Sequence, residues 1–274
     1  MNLNYLTQSL TLALTLSYSI NTFALPSESR VPGGIAIIEL DKVASTQTPE
    51  ATLNGQRVMV VQEKGKWLAI VGIPLKAKID EPLTVTAAGK SYSFKISDND
   101  YPEQRLTGIP SKYVEPDPKQ VARWREESKV QNAAYKTWSE PNAPVLELAM
   151  PAQGPYSSAF GLKRFFNDQP RAPHSGLDIA APDKSPIKVA AAGKVTAVGE
   201  YFFNGNTVIV DHGHGLSTMY CHMSRIDVKV GDQLELGQQI GLVGKTGRVT
   251  GPHLHWGVSL NNTRVDPLLF VKAQ

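Results

Sequence analysis

One helical pattern interrupts a chain that otherwise reads as short β runs separated by turns. Asp117 can cap a helix, Pro118 suits its first position, and Gln120 completes a capping-box pattern. Val121, Trp124, Tyr135 and Trp138 then recur at helical spacing, giving one apolar stripe, and Pro141 and Pro144 close the segment. The spacing predicts a helix over 118–138 within a connector of residues 107–144. Before it, runs at 35–40, 58–62, 67–71, 83–87 and 92–96 are rich in β-branched and aromatic residues, with turns at 64–66 and 88–90. After it come runs at 188–191, 195–198, 207–210, 216–223, 239–243 and 254–259, punctuated by glycines. The expected fold class is mainly β. A small all-β module over 30–106 precedes an antiparallel β domain over 145–274, and the proline-bearing stretch 141–151 marks the boundary.

The chain has 274 residues, 41% of them hydrophobic, enough for one large domain or two modest ones. Its net charge of +3 is spread out, with no basic block, so no nucleic-acid partner is expected. The single cysteine, Cys221, excludes an internal disulfide. Residues 1–24 contain no Lys, Arg, Asp or Glu, carry a short apolar run and end in Thr22-Phe23-Ala24. This segment resembles a secretory signal peptide, although the usual basic start is missing, and the expectation is export with cleavage and no stable membrane span afterwards.

All six histidines, at 174, 212, 214, 222, 253 and 255, lie in the last 101 residues. His253 and His255 occupy G-P-H-L-H-W-G at 251–257; on a strand they project from one face, with Leu254 and Trp256 on the other. Such a pair suits either a small site or a solvated sheet face. His174-Ser-Gly-Leu-Asp178 offers an imidazole and a carboxylate on a loop or strand. Zinc accepts both donor types at about 2.0–2.2 Å, yet Asp178 alone also reads as an ordinary turn residue. In Y-C-H-M at 220–223, strict alternation groups His222 with Thr218 and Tyr220, and Cys221 with Ser217 and Met219. A Cys–His nucleophilic pair is therefore not expected, and the thiol reads as buried and inert. His212 and His214, alternating with glycines, suit a hairpin turn; His212 reads as structural and His214 as exposed loop.

The fragments H-S-G-L-D, Y-C-H-M and G-P-H-L-H-W-G, in that order, resemble the LytM/lysostaphin-like zinc metallopeptidases, the M23 family. The likeness extends over about 157–267 and includes Val230-Gly-Asp232, Gly244-Lys-Thr-Gly247 and Val265-Asp-Pro267. It implies a LytM-type peptidase domain with one Zn2+ ion held by His174, Asp178 and His255, and His222 and His253 as catalytic histidines. It further implies hydrolysis of peptide crosslinks of bacterial peptidoglycan by a periplasmic enzyme, with the D-alanyl–diaminopimelate bridge as the expected target. Two alternatives stand beside it. One is a non-catalytic LytM-type activator of wall hydrolases, opposed by the presence of all five key residues. The other is a biotinyl/lipoyl-type carrier, opposed by the neighbours of Lys245, which are Gly244 and Thr246 rather than Met or acidic residues.

Overall fold

The computed structural model describes residues 25–41 and 43–272; the expected signal segment, 1–24, lies outside them. Among the described residues, no helix is long and apolar enough to cross a membrane. The architecture is mainly β, as the strand-and-turn pattern predicts.

The dominant element is an antiparallel sheet of eight strands. Gln233–Leu234, Gly193–Tyr201, Gly205–Gly213, Leu216–Met223, Leu254–Leu260, Leu177–Ile179 and Tyr156–Ser158 follow one another across it, and Thr263–Val265 pairs with Leu254–Leu260. A smaller sheet of Pro186–Lys188, Gln239–Leu242 and Arg225–Ile226 lies beside it. Only the beginning of the expected 188–191 strand pairs. Val189 and Ala190 leave the ladder, their N–H groups donating to the Gln238 carbonyl and the Tyr220 hydroxyl. One face of the large sheet carries Leu177, Ile179, Tyr220, Leu254, Trp256 and Val258 into the main core. Tyr220 and Trp256 are direct cross-strand partners and both are fully buried, the pairing that lets two large rings share one apolar slab.

The N-terminal region forms two further sheets. Ile35–Glu39, Lys66–Gly72 and Met59–Glu63 make one; Gln56–Arg57, Ala51–Leu53, Leu83–Ala87 and Lys90–Phe94 make the other. The first is buried on both faces. Ile35, Met59, Val61, Leu68 and Ile70 enter the main core, while Ala36, Ile38, Val60, Ala69 and Val71 join Val85, Tyr92 and Phe94 in a second one. Two-sided burial explains why 35–38 and 67–71 read as unbroken apolar runs rather than alternating ones. The two regions are thus joined through a common sheet. Glu103–Leu106 joins them again, pairing in parallel with Lys163–Phe166.

The helix spans Pro118–Tyr135, capped as expected: Asp117 accepts from the Gln120 N–H and the Gln120 side chain accepts from the Asp117 N–H. It ends three residues short of the expected 138. Trp138 leaves the helical path because its ring stacks under the Arg57 guanidinium, 4.4 Å away, and meets the edge of His214. The apolar stripe is buried at its end, where Ala134 and Tyr135 pack against Ile209, Met219 and Cys221; Trp124 meets Phe203 edge to face and stays 45% exposed. A second, four-residue helix, Ser111–Val114, precedes it.

Trp256→Ala empties a fully enclosed site in the main core. The expected cost is about 3–5 kcal/mol of unfolding free energy, read from urea or guanidinium denaturation; a loss under about 1 kcal/mol would mean the core collapses around the missing ring.

Candidate metal centre

The antiparallel register sets Asp178 directly opposite His255. Paired residues share a sheet face, so carboxylate and imidazole stand together on the side opposite Trp256. His174 reaches the same point from the preceding loop, which Gly176 brings onto the strand. A Cβ at Gly176 would lie 2.6 Å from the Trp256 carbonyl oxygen and 2.7 Å from the His255 ring. The glycine in H-S-G-L-D is there for this approach.

His174 Nε2 is 3.0 Å from Asp178 Oδ1 and 3.0 Å from His255 Nδ1, and His255 Nδ1 is 2.8 Å from Asp178 Oδ1. Proton accounting makes this triangle unusual. His174 Nδ1 donates to the Ala159 carbonyl at 2.6 Å, leaving a lone pair on Nε2. Burial holds the His174 pKa to about 4 although the Asp178 carboxylate favours the protonated ring, so the ring is neutral. Burial disfavours the Asp178 anion, but the close approach of His174 and His255 outweighs it and holds the carboxyl far below the usual range. Only His255 Nδ1 can bring a proton to a point where a carboxylate oxygen and an imidazole lone pair already converge. Two nitrogens and one oxygen at this spacing are a donor set for a single metal ion.

Asp178 uses its other oxygen elsewhere. Arg164 Nη2 donates to Oδ2 at 2.9 Å, Arg164 Nε donates to Gln104 Oε1 at 2.9 Å, and Gln104 Nε2 donates to Ser158 Oγ at 2.7 Å. Sequence reasoning missed Arg164 and Gln104. They are 60 residues apart and meet only through the parallel pairing of Glu103–Leu106 with Lys163–Phe166, for which no local pattern exists.

His222 reaches the centre by a route that strict alternation does not give. Asn206 pairs with Met223 but Val208 pairs with Tyr220, so Cys221 and His222 together oppose the single residue between them on the neighbouring strand. This is a β-bulge, and His222 takes a left-handed φ of +63° within it. The bulge turns His222 away from the core face of Tyr220 and into the cleft, correcting the expected grouping of the two. Its ring lies 4.8 Å from that of His253 and 6.1 Å from that of His255. Cys221 stays fully buried, and burial pushes its thiol up to about 12, so it is inert for the reason of burial alone.

His222 and His253 are held alike. The Nδ1 atoms pair with the carbonyls of Thr246 at 2.8 Å and Gly251 at 2.9 Å, so Nδ1 carries the proton and each Nε2 keeps its lone pair. Burial, with His253 and His255 close by, lowers the His222 pKa to about 3. All five residues line one cleft of about 390 Å³. The remaining histidines lie outside it. His212 is buried between the Ala192 carbonyl and the Thr218 hydroxyl, a structural position. His214 is half-buried against Trp138 and the Pro141 carbonyl rather than lying exposed.

A model described as Peptidase family M23 matches residues 172–267, and one described as Peptidase family M23 N-terminal domain matches residues 28–99. A crystal structure of a candidate M23 peptidase from Pseudomonas aeruginosa is 43% identical, with a TM-score of 0.71, over 89% of this chain and 95% of that one. The peptidoglycan DD-endopeptidase ShyA of Vibrio cholerae is 41% identical over 97 residues, 35% of this chain and 23% of its own length. The DD-carboxypeptidase/endopeptidase Mpg of Neisseria meningitidis is 40% identical over 95 residues, 35% of this chain and 22% of its own. The chain therefore spans under a quarter of the length of either curated relative.

Two glycines test how the triangle is held. Gly176→Ala is expected to displace His255 and weaken divalent-metal binding about 10- to 100-fold in a chelator competition titration. Gly257→Ala, on the same strand, has its nearest neighbour at 3.6 Å and should bind as the parent does. Equal affinity in both would show that the close approach at 176 does not position the His255 ring.

Proposed function

The chain belongs to peptidase family M23, and from that premise we propose that it is a zinc-dependent endopeptidase of the bacterial cell wall. Its substrate is the peptide crosslink of peptidoglycan, in particular the D-alanyl–diaminopimelate bridge, and its place of action is the periplasm after export. The observation that carries this reading is the convergence of His174 Nε2, Asp178 Oδ1 and His255 Nδ1 in one cleft with two further imidazoles. The curated relatives, by name peptidoglycan DD-endopeptidases and a DD-carboxypeptidase/endopeptidase, support the substrate class. The division into a 30–106 module, a 107–144 connector and a 145–274 peptidase domain belongs to the same proposal. It is supported by the two family models that fall on either side of the connector.

In this reading His174, Asp178 and His255 hold the ion. Zinc, when bound, supplies Lewis acidity that polarises the scissile carbonyl and makes water more acidic. Three protein donors leave room for solvent or substrate, as catalytic rather than closed structural sites do. His222 and His253 do the proton work. With Nδ1 engaged by a carbonyl, each presents Nε2 to orient the attacking water, accept its proton, and after protonation hydrogen-bond the developing oxyanion. The Thr246 and Gly251 carbonyls fix the tautomer, so neither ring must reorganise before it acts. Arg164, bound to Asp178 Oδ2, turns Oδ1 towards the two ligand imidazoles.

His255→Ala and Asp178→Ala are expected to lose zinc and activity together. His222→Ala and His253→Ala should retain zinc and lose about 10²- to 10⁴-fold in turnover. Metal analysis of the four purified variants decides it, and full zinc occupancy in His255→Ala would overturn the ligand assignment.

Purified crosslinked sacculi provide the functional assay. Release of soluble muropeptides should stop on chelation and return with added zinc. Sacculus binding that ignores chelator and releases nothing would favour the activator reading instead.

A further inference from the structure

Three guanidinium groups crowd the region of the catalytic cleft, and two of them hydrogen-bond to the protein, although Arg171 Nε is buried without a partner. Arg164 is paired with Asp178 and Gln104. Arg171 Nη2 donates to the Val114 carbonyl at 2.7 Å and to Gln169 Oε1 at 2.6 Å. The third, Arg248, sits on the loop between the strands Gln239–Leu242 and Leu254–Leu260 and lines the cleft beside His222 and His253. Its guanidinium carbon is 4.8 Å from the ring centre of Phe166 and 4.6 Å from that of Phe203. Its backbone N–H donates to the Phe203 carbonyl at 2.9 Å, but among the described residues no carboxylate, carbonyl or hydroxyl accepts a hydrogen bond from its guanidinium.

The side chain is only partly buried, so the donors that the protein leaves open face the solvent of the cleft. A guanidinium has five N–H donors and keeps its charge at every physiological pH. Burial lowers the Arg248 pKa to about 10, and the charges of Arg164 and Arg171 add to the effect. The two aromatic faces offset part of the lost hydration and hold the group in place, but they satisfy none of its donors. A planar, pre-positioned fork of N–H groups in a cleft is shaped for a two-oxygen anion.

We propose that Arg248 is a specificity residue that receives a carboxylate of the crosslinked peptide beside the amide that is cut. The inference rests on the peptidoglycan reading above. In a D-alanyl–diaminopimelate bridge, the scissile nitrogen is attached to a carbon that also bears a carboxylate, so the anion lies a few bonds from the reacting carbonyl. A crosslink made through the lysine side chain has no charge at that carbon, and neither has one within an oligoglycine bridge. Arg248 thereby selects the acidic bridge over neutral ones.

Two synthetic crosslinked peptide dimers, identical except that this carboxylate is free in one and a carboxamide in the other, test the proposal. Zinc-loaded wild-type protein should cut the acid with a KM about tenfold or more below that for the amide. Arg248→Ala should retain zinc and lose the preference through a raised KM for the acid alone, and Arg248→Lys should recover part of it, since the charge returns without the fork. Calorimetric binding of both dimers to zinc-loaded His253→Ala protein gives a readout free of turnover. If wild-type protein cuts neither dimer, the endopeptidase reading fails, and binding still decides the role of Arg248. Tighter binding of the acid, abolished by Arg248→Ala, supports it. Equal binding of acid and amide, or a preference that survives Arg248→Ala, overturns it.

Discussion

The backbone pairing of Leu177–Ile179 with Leu254–Leu260 decides almost everything about the centre. One register places Asp178 opposite His255 and Leu177 opposite Trp256, so a single set of ladder hydrogen bonds builds the donor set on one face and the core on the other. A slip of one residue would exchange the faces, burying the carboxylate and exposing the indole. The fully buried Tyr220–Trp256 pair opposes that slip from the far side of the sheet. Packing on the dry face therefore fixes the spacing of Asp178 and His255 on the wet one.

Charge in the cleft is balanced unevenly. Asp178 is surrounded: two imidazoles on Oδ1, a guanidinium on Oδ2. Both lower its affinity for protons, but only the imidazoles compete for the oxygen that a cation would use. Keeping Arg164 on Oδ2 leaves Oδ1 as the single donor atom directed at the triangle, and Gln104 keeps Arg164 from swinging away.

How much of this could be read in advance depends on how local each interaction is. The capping box around Asp117 and Gln120, the two-sided alternation at 253–256 and the strand at 216–223 are local, and each stands where the residues indicate. The motif H-S-G-L-D is intelligible once Gly176 is seen against the His255 ring, a contact made across about 80 residues that no short window contains. His222 misleads a periodic reading because one extra residue in a strand reverses every later assignment, and nothing in Y-C-H-M announces the bulge. The helix end fails for a different reason: Trp138 has adequate helix propensity, but a cation-stacking partner 81 positions earlier outbids it. Arg164, Gln104 and Arg248 carry no motif at all and become visible only when their surroundings are assembled.

The sheet formed by Ile35–Glu39, Lys66–Gly72 and Met59–Glu63 serves two cores at once. Truncation at the proline-rich connector would consequently not yield a tidy peptidase fragment. A polypeptide beginning at 145 would present to water the apolar surface that Ile35, Met59, Val61, Leu68 and Ile70 now cover. It would also lack Gln104, and with it the brace behind Arg164. In this chain the amino-terminal half acts as a structural lid on the hydrophobic interior, so expression boundaries chosen from motif positions alone would favour insoluble material.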